Sequence, residues 1–106
     1  MKSIHNYING QHVQGQSTNY SAVFNPATGE QTAQLGLSTA ADVDAAVQAA
    51  VLAQPAWAAV PPVRRARVLM RYVQLLNENI DELALLISQE HGKVLDDAKG
   101  EVTRGI

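Results

Sequence analysis

Residues 38–51, which read STAADVDAAVQAAV, mark the point at which the hydrophobic pattern of this chain becomes that of a helix. Thr39, followed three residues later by Asp42, resembles a capping box, and an acid in the first turn suits the helix dipole. Apolar residues then recur along one helical face, at Val43, Ala46, Val47, Ala50 and Val51. A helix is therefore predicted from about residue 39, and Pro55 is expected to end or interrupt it.

The 37 residues that precede this helix carry short β-type runs separated by polar turns. The runs cover residues 5–8, 12–14, 20–24 and 31–37. Asn9-Gly10 lies between the first two and favours a tight hairpin, because both residues tolerate positive φ. The sequence therefore predicts a β-hairpin followed by one or two further short strands.

Three more helices are predicted downstream of Pro55. Pro61-Pro62 suits a helix start, because a first-turn proline loses no intrahelical bond. Asn79 with Glu82 repeats the capping signature and opens the next helix, for which Gly92 is the C-cap. The stripe expected to be buried on the second helix comprises Ala66, Leu69, Val73, Leu76 and Ile80, and one face of a fourth helix comprises Leu95, Ala98, Val102 and Ile106. The predicted fold class is α+β, with the hairpin and strands over residues 1–37 and about four helices over residues 38–106.

Composition excludes several functional classes. A chain of 106 residues allows one small domain, and 46% hydrophobic with 17% charged residues is typical of globular proteins. A net charge of −2 argues against a nucleic-acid binder. The absence of cysteine excludes disulfides, thiolate metal sites and a thiol nucleophile within this sequence. No signal-like segment or membrane span is recognised, so a cytoplasmic protein with no membrane partner is expected.

The basic motifs have ordinary structural interpretations. Gly92-Lys93 lacks the flanking residues of a phosphate loop, so a glycine cap followed by a solvated lysine is expected. A basic cluster on the second helix is expected to form a solvated face with ion pairs to acids such as Glu78, in preference to an anion, nucleic-acid or membrane patch. The cluster consists of Arg64, Arg65, Arg67 and Arg71. By spacing alone, Arg104 is a solvated arginine on a different face from Val102.

The remaining titratable groups predict no metal site. His5, His12 and His91 lie far apart in sequence without a partner at ligand spacing. Asp96-Asp97 with Glu101 could form a paired-carboxylate site, but acids are common in the first turn of a helix because of its dipole. The dipole explanation is the one expected here.

Four segments taken in order resemble the opening of an aldehyde dehydrogenase subunit. They are residues 7–10, residues 25–30, residues 42–47 leading to 55–57, and residues 90–93 followed by 101–102. Their order and spacing match that family across essentially the whole sequence. Within the family, residues 100–106 (GEVTRGI) and 68–72 (VLMRY) are similar to segments of the methylmalonate-semialdehyde dehydrogenases.

The resemblance implies an NAD-dependent, CoA-acylating enzyme of valine catabolism. Such an enzyme oxidises methylmalonate or malonate semialdehyde to propanoyl-CoA or acetyl-CoA, and a homo-oligomer, expected to be a tetramer, is implied. Arg104 matches an arginine that helps to hold the substrate carboxylate. The cysteine nucleophile, the general-base glutamate and the NAD-binding loops of the family lie beyond Ile106. We therefore expect an N-terminal fragment that has no catalytic, cofactor-binding or metal residues and is inactive alone.

Two alternatives stay open at this point. Another aldehyde dehydrogenase subfamily would differ only in substrate, and the segment around Arg104 is the sole local evidence against it. A free-standing, non-catalytic helical module would instead dock its apolar stripe onto a partner. Such a module should unfold cooperatively, whereas a fragment should be molten, aggregated or only partly folded.

Overall fold

The computed structural model describes all 106 residues and contains five short strands followed by four helices. The strands are β1 (Lys2–Ile4), β2 (Asn6–Ile8), β3 (Gln11–Val13), β4 (Tyr20–Phe24) and β5 (Gln31–Gly36). The helices are α1 (Ala40–Ala59), α2 (Pro62–Glu78), α3 (Ile80–His91) and α4 (Leu95–Gly105). The predicted α+β class, with strands preceding four helices, is confirmed.

The chain forms two compact units. The first comprises Met1–Phe24 and Gln31–Ala59, and thus all five strands together with α1. The second comprises Asn25–Glu30 and Val60–Ile106, and thus α2, α3, α4 and the connection between β4 and β5. The first helix therefore belongs to the same unit as the strands.

The predicted hairpin at Asn9-Gly10 is confirmed. Strands β2 and β3 pair antiparallel, and Ile8 stands opposite Gln11 across the turn. Asn9 has φ 53° and Gly10 has φ 75°, which is the pair of positive values that a two-residue turn of this kind requires. On the strands themselves, the ring of Tyr7 meets that of His12 edge to face at 5.2 Å. Turn chemistry and a cross-strand aromatic pair together set the register of the hairpin.

The second sheet contains a strand that the sequence pattern did not predict. Its order is β1-β5-β4, with β1 parallel to β5 and β4 antiparallel to it. In β1, Lys2 pairs with Ala33 and Ser3 with Gln34, whose Nε2 donates to the Ser3 hydroxyl at 3.0 Å. A strand of three residues shows too little alternation to be recognised, and its partner lies about thirty residues away. Its position as an edge strand depends on pairing with β5, not on its own sequence.

The N-terminus of α1 forms the predicted capping box and also anchors a preceding loop. The Thr39 amide donates to Asp42 Oδ2 at 2.8 Å, and the Asp42 amide donates back to Thr39 Oγ1 at 3.2 Å. The Gln16 amide donates to Asp42 Oδ1 at 3.1 Å. The Thr39 backbone hydrogen bond is the main reason that the pKa of Asp42 is held below its usual value; partial burial opposes this shift and the Gln16 amide supports it. One carboxylate therefore caps the helix and fixes the loop that leads to β4.

The expectation that Pro55 ends or interrupts the first helix is wrong. Helix α1 continues through Pro55 to Ala59. A proline within a helix removes one backbone hydrogen bond, here the bond to Val51, but the alanines on both sides of it have the highest helix propensity of any residue. The residues flanking Pro55 therefore carry the helix past a local defect.

The capping box predicted at Asn79 and Glu82 is also wrong. Asn79 precedes α3, but its side chain makes no capping hydrogen bond there. Its Nδ2 instead donates to the Leu75 carbonyl at 2.8 Å, in the last turn of α2. Asn79 is at once the C-cap of α2 and the N-cap of α3, and its side chain serves the helix that has just ended.

Close packing within the chain rests on alanine. Only Ala33, Ala84 and Ala98 are buried, and the last two have no exposed surface. Small side chains at Ala84 of α3 and Ala98 of α4 allow close packing where these two helices meet. The stripe expected to be buried on α2 is only partly covered. Leu69 is 59% and Val73 37% exposed, Ala66 and Leu76 are half-buried, and Ile80 is the first residue of α3. Periodicity identifies the residues that share a face, but it does not identify what covers that face.

No single helix is both long enough and apolar enough to cross a bilayer. Helices α1 and α2 reach that length and apolarity only when counted together across the break between them.

Candidate functional site

The candidate site lies at the turn between α3 and α4, because this turn leads into the segment that carries Arg104. Helix α3 ends at Gly92, which has φ 87° and donates its amide to the Ser88 carbonyl at 2.8 Å. A Cβ added to Gly92 would lie 3.2 Å from Cγ of Pro26. The predicted glycine cap is confirmed, and both the left-handed backbone and the close approach of Pro26 favour glycine.

Lys93 follows the cap and forms an ion pair with Glu101 of α4. Its Nζ donates to Glu101 Oε1, and the Lys93 side chain is only 19% exposed. This hydrogen bond is the main reason that the pKa of Glu101 lies below its usual value; partial burial opposes the shift, and the charges of Lys93, Arg104 and His91 reinforce it. The expectation of a solvated lysine is therefore wrong, because Lys93 links the turn to the middle of α4.

A second ion pair joins α3 to the first half of α4. Lys99 Nζ lies 3.0 Å from Asp81 Oδ1, and the hydrogen bond to Asp81 raises the pKa of Lys99. Asp96 and Asp97 occupy the first turn of α4, as the dipole explanation predicts. Glu101, the third acid of that candidate paired-carboxylate group, pairs with Lys93.

Arg104 lies in the last turn of α4, where a cation is favourable to the helix dipole, and its side chain is exposed. Its Nε donates to the Gly100 carbonyl one turn earlier at 3.4 Å. The three ion pairs of the chain join Arg71 to Glu78, Lys93 to Glu101 and Lys99 to Asp81, so Arg104 belongs to none of them. The guanidinium therefore forms no ion pair within the chain.

The other sequence candidates do not join this arrangement. On α2, Arg71 Nη1 lies 4.0 Å from Glu78 Oε1 with both side chains exposed, which confirms the predicted ion pair to that acid. The Arg65 Nε donates to the Val60 carbonyl at 3.0 Å and so caps the preceding turn. His5, His12 and His91 are exposed, and the structure contains no group of three His, Asp or Glu residues that could hold a metal ion.

Sequence reasoning missed the pairing of Lys93 with Glu101. The two residues are eight positions apart and on opposite sides of a helix end, so no helical spacing relates them. A lysine in the turn after Gly92 and a glutamate in the helix that follows were the available signal. Without the course of the turn, that signal does not distinguish a pair from two solvated side chains.

Comparison with known proteins decides the family. Residues 12–106 match the model of the aldehyde dehydrogenase family. The chain belongs to this family. Over all 106 residues, this aldehyde dehydrogenase chain is 48% identical to a malonate-semialdehyde dehydrogenase of Bacillus pumilus (strain SAFR-032). It is 50% identical to a malonate-semialdehyde dehydrogenase of Bacillus cereus (strain B4264). It covers 22% of each of these two relatives.

Solved structures of aldehyde dehydrogenases match the same fold. One is a protein from Sinorhizobium meliloti 1021, assigned as a methylmalonate-semialdehyde dehydrogenase and complexed with NAD, with a TM-score of 0.96 and 52% identity. Another is the methylmalonate-semialdehyde dehydrogenase of Oceanimonas doudoroffii, with a TM-score of 0.95 and 47% identity. Each match covers 99% of this chain and 21% of the other. The chain thus spans about a fifth of the length of its relatives, and its strands and helices match the N-terminal part of the aldehyde dehydrogenase fold.

Proposed function

We propose that the whole enzyme containing these residues oxidises malonate semialdehyde and methylmalonate semialdehyde to acetyl-CoA and propanoyl-CoA, with NAD as oxidant and CoA as acyl acceptor. The substrate carboxylate leaves as CO2, so that each acyl group has one carbon fewer than its semialdehyde. We further propose that it acts as a cytoplasmic homo-oligomer, a tetramer. The observation that carries the proposal is the 48–50% identity to malonate-semialdehyde dehydrogenases along the full 106 residues. The unpaired guanidinium of Arg104 supports the same substrate class, because both semialdehydes carry a carboxylate.

In this proposal Arg104 binds the carboxylate of the substrate. A guanidinium is planar, stays charged and can donate two parallel hydrogen bonds to a carboxylate. Arg104 uses only its Nε within the chain, in the bond to Gly100, and forms no ion pair. It can therefore contribute both charge and geometry to a substrate that carries a carboxylate at one end and an aldehyde at the other.

The residues present here do not themselves form a dinucleotide site. Such a site needs a glycine-rich turn between a parallel strand and the N-terminus of a helix. Gly92 instead caps the end of a helix, and Gly100 and Gly105 lie inside α4. NAD use is supported by the complex of the Sinorhizobium meliloti relative, and we propose that other parts of the enzyme bind it. Because the 106 residues include no cysteine, we also propose that they are inactive by themselves.

The experiment is to replace Arg104 by Ala in the whole enzyme and to measure kcat/KM for malonate semialdehyde and for propanal with NAD and CoA. We expect a loss of about 30- to 700-fold for the carboxylated substrate, corresponding to about 2–4 kcal/mol of transition-state binding, and a much smaller loss for propanal. Arg67→Ala, which removes an exposed arginine from α2, is the matched control and should leave both values unchanged.

The outcomes separate the parts of the proposal. Equal losses on the two substrates would make Arg104 structural. Formation of a free acid in place of an acyl-CoA would refute the acylating step. A wild-type preference for aldehydes without a carboxylate would instead support another subfamily of the aldehyde dehydrogenases.

A further inference from the structure

We propose that Lys93 keeps Arg104 available for the substrate carboxylate by engaging Glu101, the neighbouring acid on α4. Lys93 is thereby a positioning residue that sets the preference for carboxylated substrates without touching them. The inference rests on the proposed function, because it takes carboxylate binding by Arg104 as its starting point.

The spacing along α4 places Glu101 and Arg104 as natural partners. Residues three apart lie on the same side of a helix, and opposite charges at that spacing attract each other. An ion pair between them would neutralise the guanidinium of Arg104. The substrate carboxylate would then have to displace that of Glu101 before it could bind. The structure shows a different partner for Glu101. Its Oε1 accepts a hydrogen bond from Lys93 Nζ, and Arg104 forms no ion pair.

Lys93 has two advantages over Arg104 in this competition. Its side chain is 19% exposed, so its interaction with Glu101 is screened less by water than one with the exposed Arg104. Its backbone position is fixed by the left-handed Gly92 on one side and the extended Val94, with φ −67° and ψ 151°, on the other. The turn therefore places Lys93 immediately before α4, from where its side chain reaches Glu101.

The decisive experiment compares Lys93→Met with the wild type in the whole enzyme. Methionine keeps much of the length of the side chain and removes its charge, so Glu101 becomes free to pair with Arg104. We expect KM for malonate semialdehyde to rise about two- to fivefold with little change in kcat, and both constants for propanal to stay unchanged. The inhibition constant of 3-hydroxypropanoate, in which an alcohol replaces the aldehyde, should rise by the same factor.

Removal of the competing acid distinguishes two roles of the Lys93–Glu101 pair: keeping Glu101 away from Arg104, or only stabilising the turn. In the double variant Lys93→Met with Glu101→Gln, the competing charge is gone, so KM for malonate semialdehyde should return to within about twofold of the wild-type value. Glu101→Gln alone should leave that KM unchanged or lower it. If the pair only braces the turn, the double variant will be as impaired as Lys93→Met or worse, and Glu101→Gln will also raise KM; either result would overturn the proposal.

The matched control is Lys99→Met, which removes the other ion pair of α4, to Asp81, and should leave KM for both substrates unchanged. If Lys93→Met is recovered only as insoluble protein, the Glu101→Gln variant decides by itself, because a raised KM for malonate semialdehyde contradicts the proposal.

Failure of the role proposed for Lys93 can be distinguished from failure of the role proposed for Arg104. Equal losses on both substrates in Arg104→Ala refute carboxylate binding, whereas a selective Arg104→Ala with an unselective or silent Lys93→Met refutes only the role of Lys93.

Discussion

The starts of α1 and α3 carry the same capping signature, yet only one of them forms a capping box. At α1, Thr39 and Asp42 exchange hydrogen bonds in both directions. At α3, Asn79 and Glu82 have the same spacing, but the Asn79 side chain turns back to Leu75 of the preceding helix. The two signatures share their spacing but differ in residues, and they also differ in what precedes each helix.

The chain reaches the two helices by different routes. Residues 37–39 have no regular secondary structure, so Thr39 is free to adopt the geometry of a cap. Asn79 follows α2 directly, with φ −114° and ψ 19°, and its amide already donates to Leu75 and Leu76. At Asn79 the end of α2 therefore takes the side chain that the signature assigns to the start of α3.

The largest effect that tests this comparison is expected from Thr39→Ala. The change removes the oxygen that accepts the Asp42 amide, and loss of such a cap costs about 1 kcal/mol. In the whole enzyme, amide hydrogen exchange in the first turn of α1 should become about fivefold faster. Thr103→Ala, which removes a hydroxyl bonded to Lys99 within α4, is the control and should leave α1 unchanged. Unaltered exchange at Asp42 would contradict the capping role.

A smaller effect is expected from the charge of Asp42. Because its folded pKa lies below its ordinary value of 3.8, the carboxylate stabilises the cap fully above that value and loses its contribution only as the pH falls through the lower, folded pKa. The protection of the first turn in wild type relative to Asp42→Asn should therefore stay constant from pH 7 to about pH 4. A difference that already declines near pH 5 would mean that Asp42 is not held as the structure shows.

The smallest effect is expected at α3, where the signature forms no box. Asn79→Ala removes a bond to α2, so exchange of the Glu82 and Leu83 amides in the first turn of α3 should change by less than about twofold. Glu82→Gln should change it less still. A fivefold acceleration after Asn79→Ala, equal to that of Thr39→Ala at α1, would show that the two helix starts are equivalent after all.

The same contrast explains what could be predicted from the sequence. The hairpin turn, the start of α1 and the cap at Gly92 depend on the local chemistry of two to four residues, and all three are confirmed. Strand β1, the partial cover of the apolar face of α2 and the pairing of Lys93 depend on residues distant in sequence, and these were missed or only partly predicted. Pro55 is an intermediate case. The hydrogen bond that a proline removes is a local effect, but whether the helix continues depends on the residues around it.

The site follows the same division. The segment containing Arg104 was recognised from residues 100–106, because a motif is local by definition. Lys93, which pairs with the neighbouring Glu101, precedes the start of α4, and this contact depends on the course of the turn at Gly92. For Arg104 the sequence therefore indicated the candidate group, and the structure was needed to show which partners its neighbouring charges have.

The turn at Gly92 also has a genetic consequence. Two independent constraints meet at this residue, namely its left-handed backbone and the Pro26 ring 3.2 Å from where a Cβ would lie. A smaller residue at position 26 would remove the steric obstacle but leave the unfavourable φ, so no second change there can act as a full suppressor of a substitution at Gly92. A screen for revertants of such a substitution should return glycine itself far more often than any compensating mutation.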